Sequence, residues 1–261
     1  MKKVLTTLLR HWIFFSFVAV IVFLVAFYLL GFRVGPGPSI VQVGTVILVE
    51  VPERTEIYVD NTRQTVIGGG SGRISITPGT HTLLASVQGY FPWNELVTIG
   101  SGETITIRPF FSPTEISGER LVEEDVAFAK KAIADVVLPS EAEPLLMKEG
   151  CVAVYVLQNR VVAENVEGCE PLPYLCVEDT CAPTVVFPPA DRLRAVTAFP
   201  GRDDALLVSS GSFVHVLDLD PRTPRFFAPL YDKGTAPKAI PWTENSILVE
   251  DGEMVLELFI S

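Results

Sequence analysis

The sequence predicts a mainly β protein behind one N-terminal transmembrane helix, and three observations carry that expectation. "WIFFSFVAVIVFLVAFYLL", Trp12 to Leu30, is nineteen residues with Ser16 as its one polar side chain. From Gly44 the chain breaks into apolar runs of strand length, punctuated by Pro, Gly, Asn and Asp. Beyond residue 132 a pattern of Pro, apolar triplet and Gly occurs three times.

At about 1.5 Å per residue, nineteen helical residues reach roughly 28 Å, near the thickness of a bilayer's hydrocarbon core. A secretory signal has a shorter apolar region, about 7–15 residues, and ends in a small-residue cleavage site. "GFRVGPGPS" follows instead, so a retained anchor over residues 12–31 is favoured over a cleaved signal. Lys2, Lys3 and Arg10 precede the segment and Arg33 alone closely follows it. Positive charge stays inside, which leaves residues 1–11 in the cytoplasm and exports the rest. Trp12 and Tyr28 lie where amphipathic rings prefer the interface. Residues 32–43 are expected to be an extended Gly/Pro linker.

The exported body holds 16 basic against 31 acidic residues, a formal −15, while the whole chain carries −11. Such a field repels phosphate backbones and anionic lipid, which argues against nucleic-acid partners. Cys151, Cys169, Cys176 and Cys181 all fall on the exported side, where disulfides persist. Their spacing contains no C-x-x-C knuckle, so zinc fits poorly. Four cysteines allow three pairings. Folding "CVAVYVLQNRVVAENVEGC" at Gln158–Arg160 brings Cys151 opposite Cys169, and folding "CVEDTC" at Glu178–Asp179 brings Cys176 near Cys181. Those two bridges are favoured, although an irregular loop leaves the other pairings open.

Residues 44–111 read as a small antiparallel β domain. "GTVILVEV", "EIYVD", "GRISIT", "HTLLASV", "ELVTI" and "TITIRPFF" alternate or run apolar at strand length. The order of an opening strand, Pro52-Glu53, Tyr58-Val59-Asp60, Pro78-Gly79-Thr80-His81 and Gly89-Tyr90 resembles the PEGA domain, a β-sandwich module of prokaryotic surface proteins. Of the name-giving four residues only the first two match, and "GGGSG" replaces the usual Gly-x-Thr-Pro. The resemblance implies scaffolding or surface binding and brings no catalytic residues. "IGGGSGRIS" lacks the Gly-Lys-Ser/Thr ending of a phosphate loop and is expected at a hairpin tip.

Residues 112–131 are charged, and Leu121, Asp125, Phe128 and Ala132 make no strong apolar stripe, which suggests a connecting helix or linker. In residues 132–261, Pro139/Gly150, Pro200/Gly211 and Pro241/Gly252 align without gaps. The apolar triplets are Leu145–Met147, Leu206–Val208 and Ile247–Val249, and the glycines stand 61 and 41 residues apart. A period near 40 with two central strands resembles a β-propeller blade. About three blades are expected, with a disulfide-bearing insertion at about 167–187. The last blade is one strand short, so the array is expected to form an open wedge with a protected edge, borrow a strand, self-associate through open edges, or be shorter than its relatives.

Candidate chemistry is sparse. The histidines are His11, His81 and His215, and none has a sequence partner for base catalysis. Ser209 and Ser210 are expected in a turn, and Asp218 and Asp220 at a strand end, where calcium-loop ligands are missing. Tyr90, Phe91 and Trp93 could stack on sugar rings or a partner surface, against the plainer reading of core packing. The expectation is therefore a non-catalytic, cofactor-free envelope scaffold or binding protein. It would be anchored in the lipid bilayer and would contact envelope protein or cell-wall polymer. The alternative is the ectodomain of a membrane sensor or regulatory complex.

Overall fold

The computed structural model describes residues 2–34, 40–122, 124–177, 180–232 and 234–260, with the side chains of 2–11, 13, 34, 124 and 177 also outside the description. The chain is mainly β and groups into two compact units, 1–83 with 97–109, and 84–96 with 110–261.

The first unit begins with α1 (Lys2–Leu29). The described side chains from Phe14 to Leu30 are exposed, Phe27 excepted. As an unbroken described run, Phe14–Leu29 spans sixteen residues, roughly 24 Å of helix. Among the described residues no helix is long and apolar enough to cross a membrane, so the spanning role expected of residues 12–31 is not supported by the structure.

The expected linker is more ordered than its glycines and prolines suggest. β1 (Phe32–Val34) and β2 (Ile40–Gln42) pair antiparallel. Gly31, at φ 83°, ends the helix in the left-handed region that glycine reaches without a Cβ penalty. Arg33 then folds back. Its guanidinium lies 3.6 Å from the Tyr28 ring centre and donates to the Tyr28 and Phe32 carbonyls. Gln42 Nε2 donates to Leu30 O at 3.2 Å, and Val43 N to Gly31 O at 2.9 Å.

Seven strands follow: β3 (Gly44–Val51), β4 (Thr55–Val59), β5 (Thr62–Ile67), β6 (Gly70–Ile76), β7 (Gly79–Ser86), β8 (Trp93–Ile99) and β9 (Thr104–Ile107). They form two sheets, ordered β6-β3-β9 and β5-β4-β7-β8, and the boundary between the units passes through β7 and β8. Val46 and Leu48 of β3, and Thr55, Ile57 and Val59 of β4, alternate inward as half-buried strands do. Two expectations are corrected. β9 pairs parallel to β3, from Thr45 opposite Thr104 to Leu48 opposite Ile107, so the domain is not wholly antiparallel. The "GGG" run is a crossover between sheets and not a hairpin tip, since β5 and β6 lie in different sheets. Gly69 and Gly70 take φ 109° and 76° to make that step.

In the second unit the segment expected as a connecting helix or linker holds a helix, α2 (Glu124–Asp135), preceded by an unforeseen strand, β10 (Ser117–Arg120). The apolar stripe is Val126, Ala129 and Ile133, offset from the one sought. Those residues pack on Ile240, Leu248 and Val255. Lys238 Nζ donates to the carbonyls of Ile133 and Val136, holding the helix's C-terminal end where a cation is favoured.

Three four-stranded antiparallel sheets complete this unit. The first contains β11 (Leu145–Met147), β12 (Val152–Leu157), β13 (Arg160–Asn165) and, after the short pair β14 (Cys176–Val177) and β15 (Thr180–Cys181), β16 (Thr184–Phe187). The second is β17 (Leu193–Ala198), β18 (Ala205–Ser210), β19 (Phe213–Asp218) and β20 (Phe227–Tyr231). The third comprises β21 (Lys238–Thr243), β22 (Ser246–Asp251) and β23 (Met254–Phe259), with β10 as its outer strand. Ser117 to Arg120 pair with Phe259 to Leu256, so the missing strand is borrowed from upstream in the same chain. Among the described residues no sheet closes on itself. Val154, Val161, Val186, Leu193, Val196, Leu206, Val208 and Leu217 form a shared core for the first two sheets.

The expected repeat alignment is one strand out in its first member. Leu145–Met147 is the first strand of its sheet, whereas the other two triplets lie in second strands. The turn equivalent to Gly211 and Gly252 is Gln158-Asn159, between β12 and β13, with φ 50° and 61°. Asn tolerates the left-handed region. The turn therefore needs no glycine, and Gly150 drew the alignment to the wrong hairpin.

Candidate functional site

The structure separates the three aromatic residues. Trp93 opens β8 and is 2% exposed, a core residue. Tyr90 bridges to Pro113 and its ring meets Phe111 edge-on at 6.2 Å. Phe91 differs. Its amide donates to Ser112 O at 2.8 Å, Thr114 N and Oγ1 both donate to Gly89 O, and the ring so held lines an open cavity of about 500 Å³.

One wall of that groove is Thr114, Glu115 and Ile116, immediately before β10. The other is Pro229 to Asp232, at the end of β20. Leu230 and Leu258 are buried beneath it, while Glu115 and Asp232 are exposed. Tyr231 is fixed from behind. Its hydroxyl donates to Asp251 Oδ2 at 3.1 Å, and Asp251 Oδ1 also accepts the amides of Thr235 and Ala236. Burial raises the Tyr231 phenol above its ordinary pKa, so it remains a neutral donor. Both strands beside the groove, β10 and β20, are the outermost of their sheets. The arrangement offers aromatic and apolar surface between two carboxylates.

A second cluster lies within the same unit, and only Asp218 and Asp220 among its members stand out in the sequence. Asp204 precedes β18, Asp218 ends β19, Asp220 follows, and Glu95 sits on β8. Arg202 clasps Asp204 through Nε and Nη2 at 2.7 and 2.8 Å. Arg222 clasps Asp220, with Nη2 to Oδ2 at 2.6 Å, and also donates to Leu96 O. Asp218 Oδ1 accepts the amide of Asp220. Burial pushes Asp218 up to about 7 and Glu95 up to about 8, with neighbouring carboxylates reinforcing both. Burial, again with those carboxylates, raises the Tyr174 phenol as well. A carboxyl tuned to neutrality can serve a general acid. Here the described groups around it are carboxylates, arginines and the Tyr174 phenol. Among the described residues no group of three or more His, Cys, Asp or Glu is disposed to hold a metal ion.

The histidines are held in structural settings. His81 Nδ1 meets Asp60 Oδ2 at 2.6 Å, and Nε2 meets Thr77 O at 2.8 Å. A carbonyl oxygen only accepts, so Nε2 must donate and is not a base. That pair joins the turn after β4 to the start of β7, helped by Thr82 N donating to Asp60 Oδ1. His215 is enclosed by the rings of Phe187, Phe213 and Phe227, at 6.3, 5.3 and 4.7 Å, and burial lowers its pKa. Its structural equivalents are Val162 and Leu256, following the corrected alignment. His11 lies on α1, with its side chain outside the described residues. Ser209 and Ser210 were expected in a turn but end β18, buried, and Ser209 Oγ accepts Ala239 N at 2.9 Å.

Both favoured disulfides form: Cys151, just before β12, to Cys169 in the loop after β13, and Cys176–Cys181 across β14 and β15. The expected turn at Glu178–Asp179 lies outside the described residues. Asn165 Oδ1 accepts Leu172 N at 2.8 Å, fixing the loop that carries them.

No family model and no curated protein matches this sequence. A solved structure from Bacteroides fragilis, a protein of unknown function provisionally named as membrane-associated, shares 10% identity. The alignment covers 84% of this chain and 98% of that one, with a TM-score of 0.22, too low to bear on this chain's fold or role.

Proposed function

We propose that this chain is a non-catalytic, membrane-anchored scaffold or binding protein of the prokaryotic envelope, its β units outside the cytoplasm. The observation that carries the reading is α1. Its apolar side chains are exposed from Phe14 onward, a surface that water does not tolerate over such a length and that lipid would cover. The two disulfides and the acidic body suit an exported setting. We read the two sheets of β3–β9 as PEGA-like, and the three four-stranded sheets as propeller-like blades with β10 completing the last. The sheets suit a surface that presents edges and grooves to protein or wall polymer.

Alkaline extraction of membranes, combined with protease applied to intact and lysed cells, tests the anchor. The chain is expected to stay in the membrane pellet and to be cut from outside in intact cells. Release by alkali, or protection until lysis, would overturn it. Pull-down from detergent extracts then separates scaffold from sensor: polysaccharide or surface-layer partners support the first, a membrane signalling protein the second. The sensor reading draws on the short ties that Arg33, Gln42 and Val43 make to the end of α1, a stiff join suited to passing on movement.

A further inference from the structure

We propose that the groove between Thr114–Ile116 and Pro229–Asp232 binds an extended peptide carrying Lys or Arg next to apolar side chains. This rests on the binding-module reading above and names its partner class. It is independent of the anchor.

Three features of the groove select that chemistry. Its described lining includes two exposed carboxylates, Glu115 on one wall and Asp232 on the other, and no Lys or Arg. A ligand lying between them meets negative charge from both sides, within a chain that is itself at −11. Between the carboxylates, Phe91, Ile116, Leu230, Tyr231 and Leu258 supply apolar and aromatic surface. An ammonium or guanidinium on an aliphatic stem matches both parts, the stem lying on the rings and the head reaching the acids. A small polyamine would satisfy the carboxylates and leave the apolar surface wet, whereas a peptide covers both.

The size and setting agree. A cavity of about 500 Å³ holds a few side chains and no folded domain. It is open, and it runs beside β10 and β20, each the outermost strand of its sheet, as extended ligands prefer. Pro229 has no N–H to give, so the Pro229 wall offers side-chain recognition more than ladder pairing. The groove is also preorganised. The Phe91 backbone is held by the Ser112 carbonyl, Thr114 by the Gly89 carbonyl, and the Tyr231 hydroxyl by Asp251, so little ordering is required on binding.

The test uses the full chain in detergent micelles and dye-labelled short peptides in which Val alternates with Lys, Glu or Gln, read by fluorescence anisotropy. The Lys peptide is expected to bind and the other two to fail. Replacing the exposed acids, Glu115→Gln with Asp232→Asn, should weaken the Lys peptide by roughly tenfold, as loss of a charge contact does. Phe91→Ala should weaken it by a similar factor with no change of charge, and Phe91→Leu less. Glu141→Gln with Glu143→Gln, also exposed, should leave binding unchanged. Equal losses from that distant pair, or full binding by the folded Phe91→Ala protein, would reduce the effect to general charge attraction and overturn the proposal. Binding of a soluble wall glycan at the groove, blocked by Phe91→Ala, would overturn the peptide while leaving the binding-module reading intact. Absence of any partner in pull-down would instead count against that reading itself.

Discussion

Glu95 shows how a single buried carboxyl can set the pH dependence of a domain. Its pKa stands near 8 in the folded chain against an ordinary 4.5, so between those values the folded state holds a proton that the unfolded state has lost. Stability from this source is complete below the ordinary value and falls as pH rises through the window. Asp218, raised to about 7, adds to the same slope. Glu95→Gln cannot ionise. It should melt like the parent at pH 5 and be more stable by about 1–3 kcal/mol at pH 8, measured by denaturant unfolding at both values. An unchanged slope would mean that Glu95 is not the titrating group. Beyond Asp218 beside Asp220 this was not legible in the sequence, because Glu95, Tyr174 and Asp204 come from separate elements and share no spacing with them. The cysteine pairs were favoured in the sequence, since a hairpin brings Cys151 near Cys169; in the structure Cys151 lies opposite Val166, and the turn after it carries Cys169 back to the bridge.

At the scale of elements, β10 carries the most consequence. Gly118 sits opposite Leu258, and a Cβ there would come within 2.7 Å of the Glu257 carbonyl and 2.5 Å of a Leu258 methyl. Backbone cannot yield as a side-chain tip can. Gly118→Ala should therefore destabilise the third sheet by about 1–3 kcal/mol, seen as faster amide exchange in β23. Exchange as slow as the parent's would show that β10 is not needed there. A strand of four exposed residues, "SGER", has no apolar alternation, so pattern could not find it; only the incomplete third repeat hinted that something was owed. For α2, the sequence suggests a connecting helix but not the face on which it packs. Its buried stripe of Val126, Ala129 and Ile133 is short and interrupted by charge, and packing on Ile240 and Leu248 decides the outcome. The strands of the central sheets, by contrast, were plain from their apolar runs, and the misplacement of the first repeat came from trusting Gly150 where Asn159 does the turning.

For the whole molecule, both disulfides belong to the second unit, and the first has none. Replacing Cys151 and Cys169 by Ser releases a loop with a separation of 18 residues, worth about 3 kcal/mol on chain-entropy grounds. Hydrogen exchange should then quicken across β11–β20 while β3–β6 keep their protection, and equal loosening of both units would contradict that independence. The pairing of β10 with β23 also imposes an order on synthesis. Residues 117–120 leave the ribosome well before their partner at 256–259 exists. During synthesis this strand must wait, unmatched, while the intervening polypeptide is made. A premature stop that removed only β23 and the turn before it would leave one gap with two unpaired borders, β10 and β22, and a quality-control protease would meet a chain with an open seam.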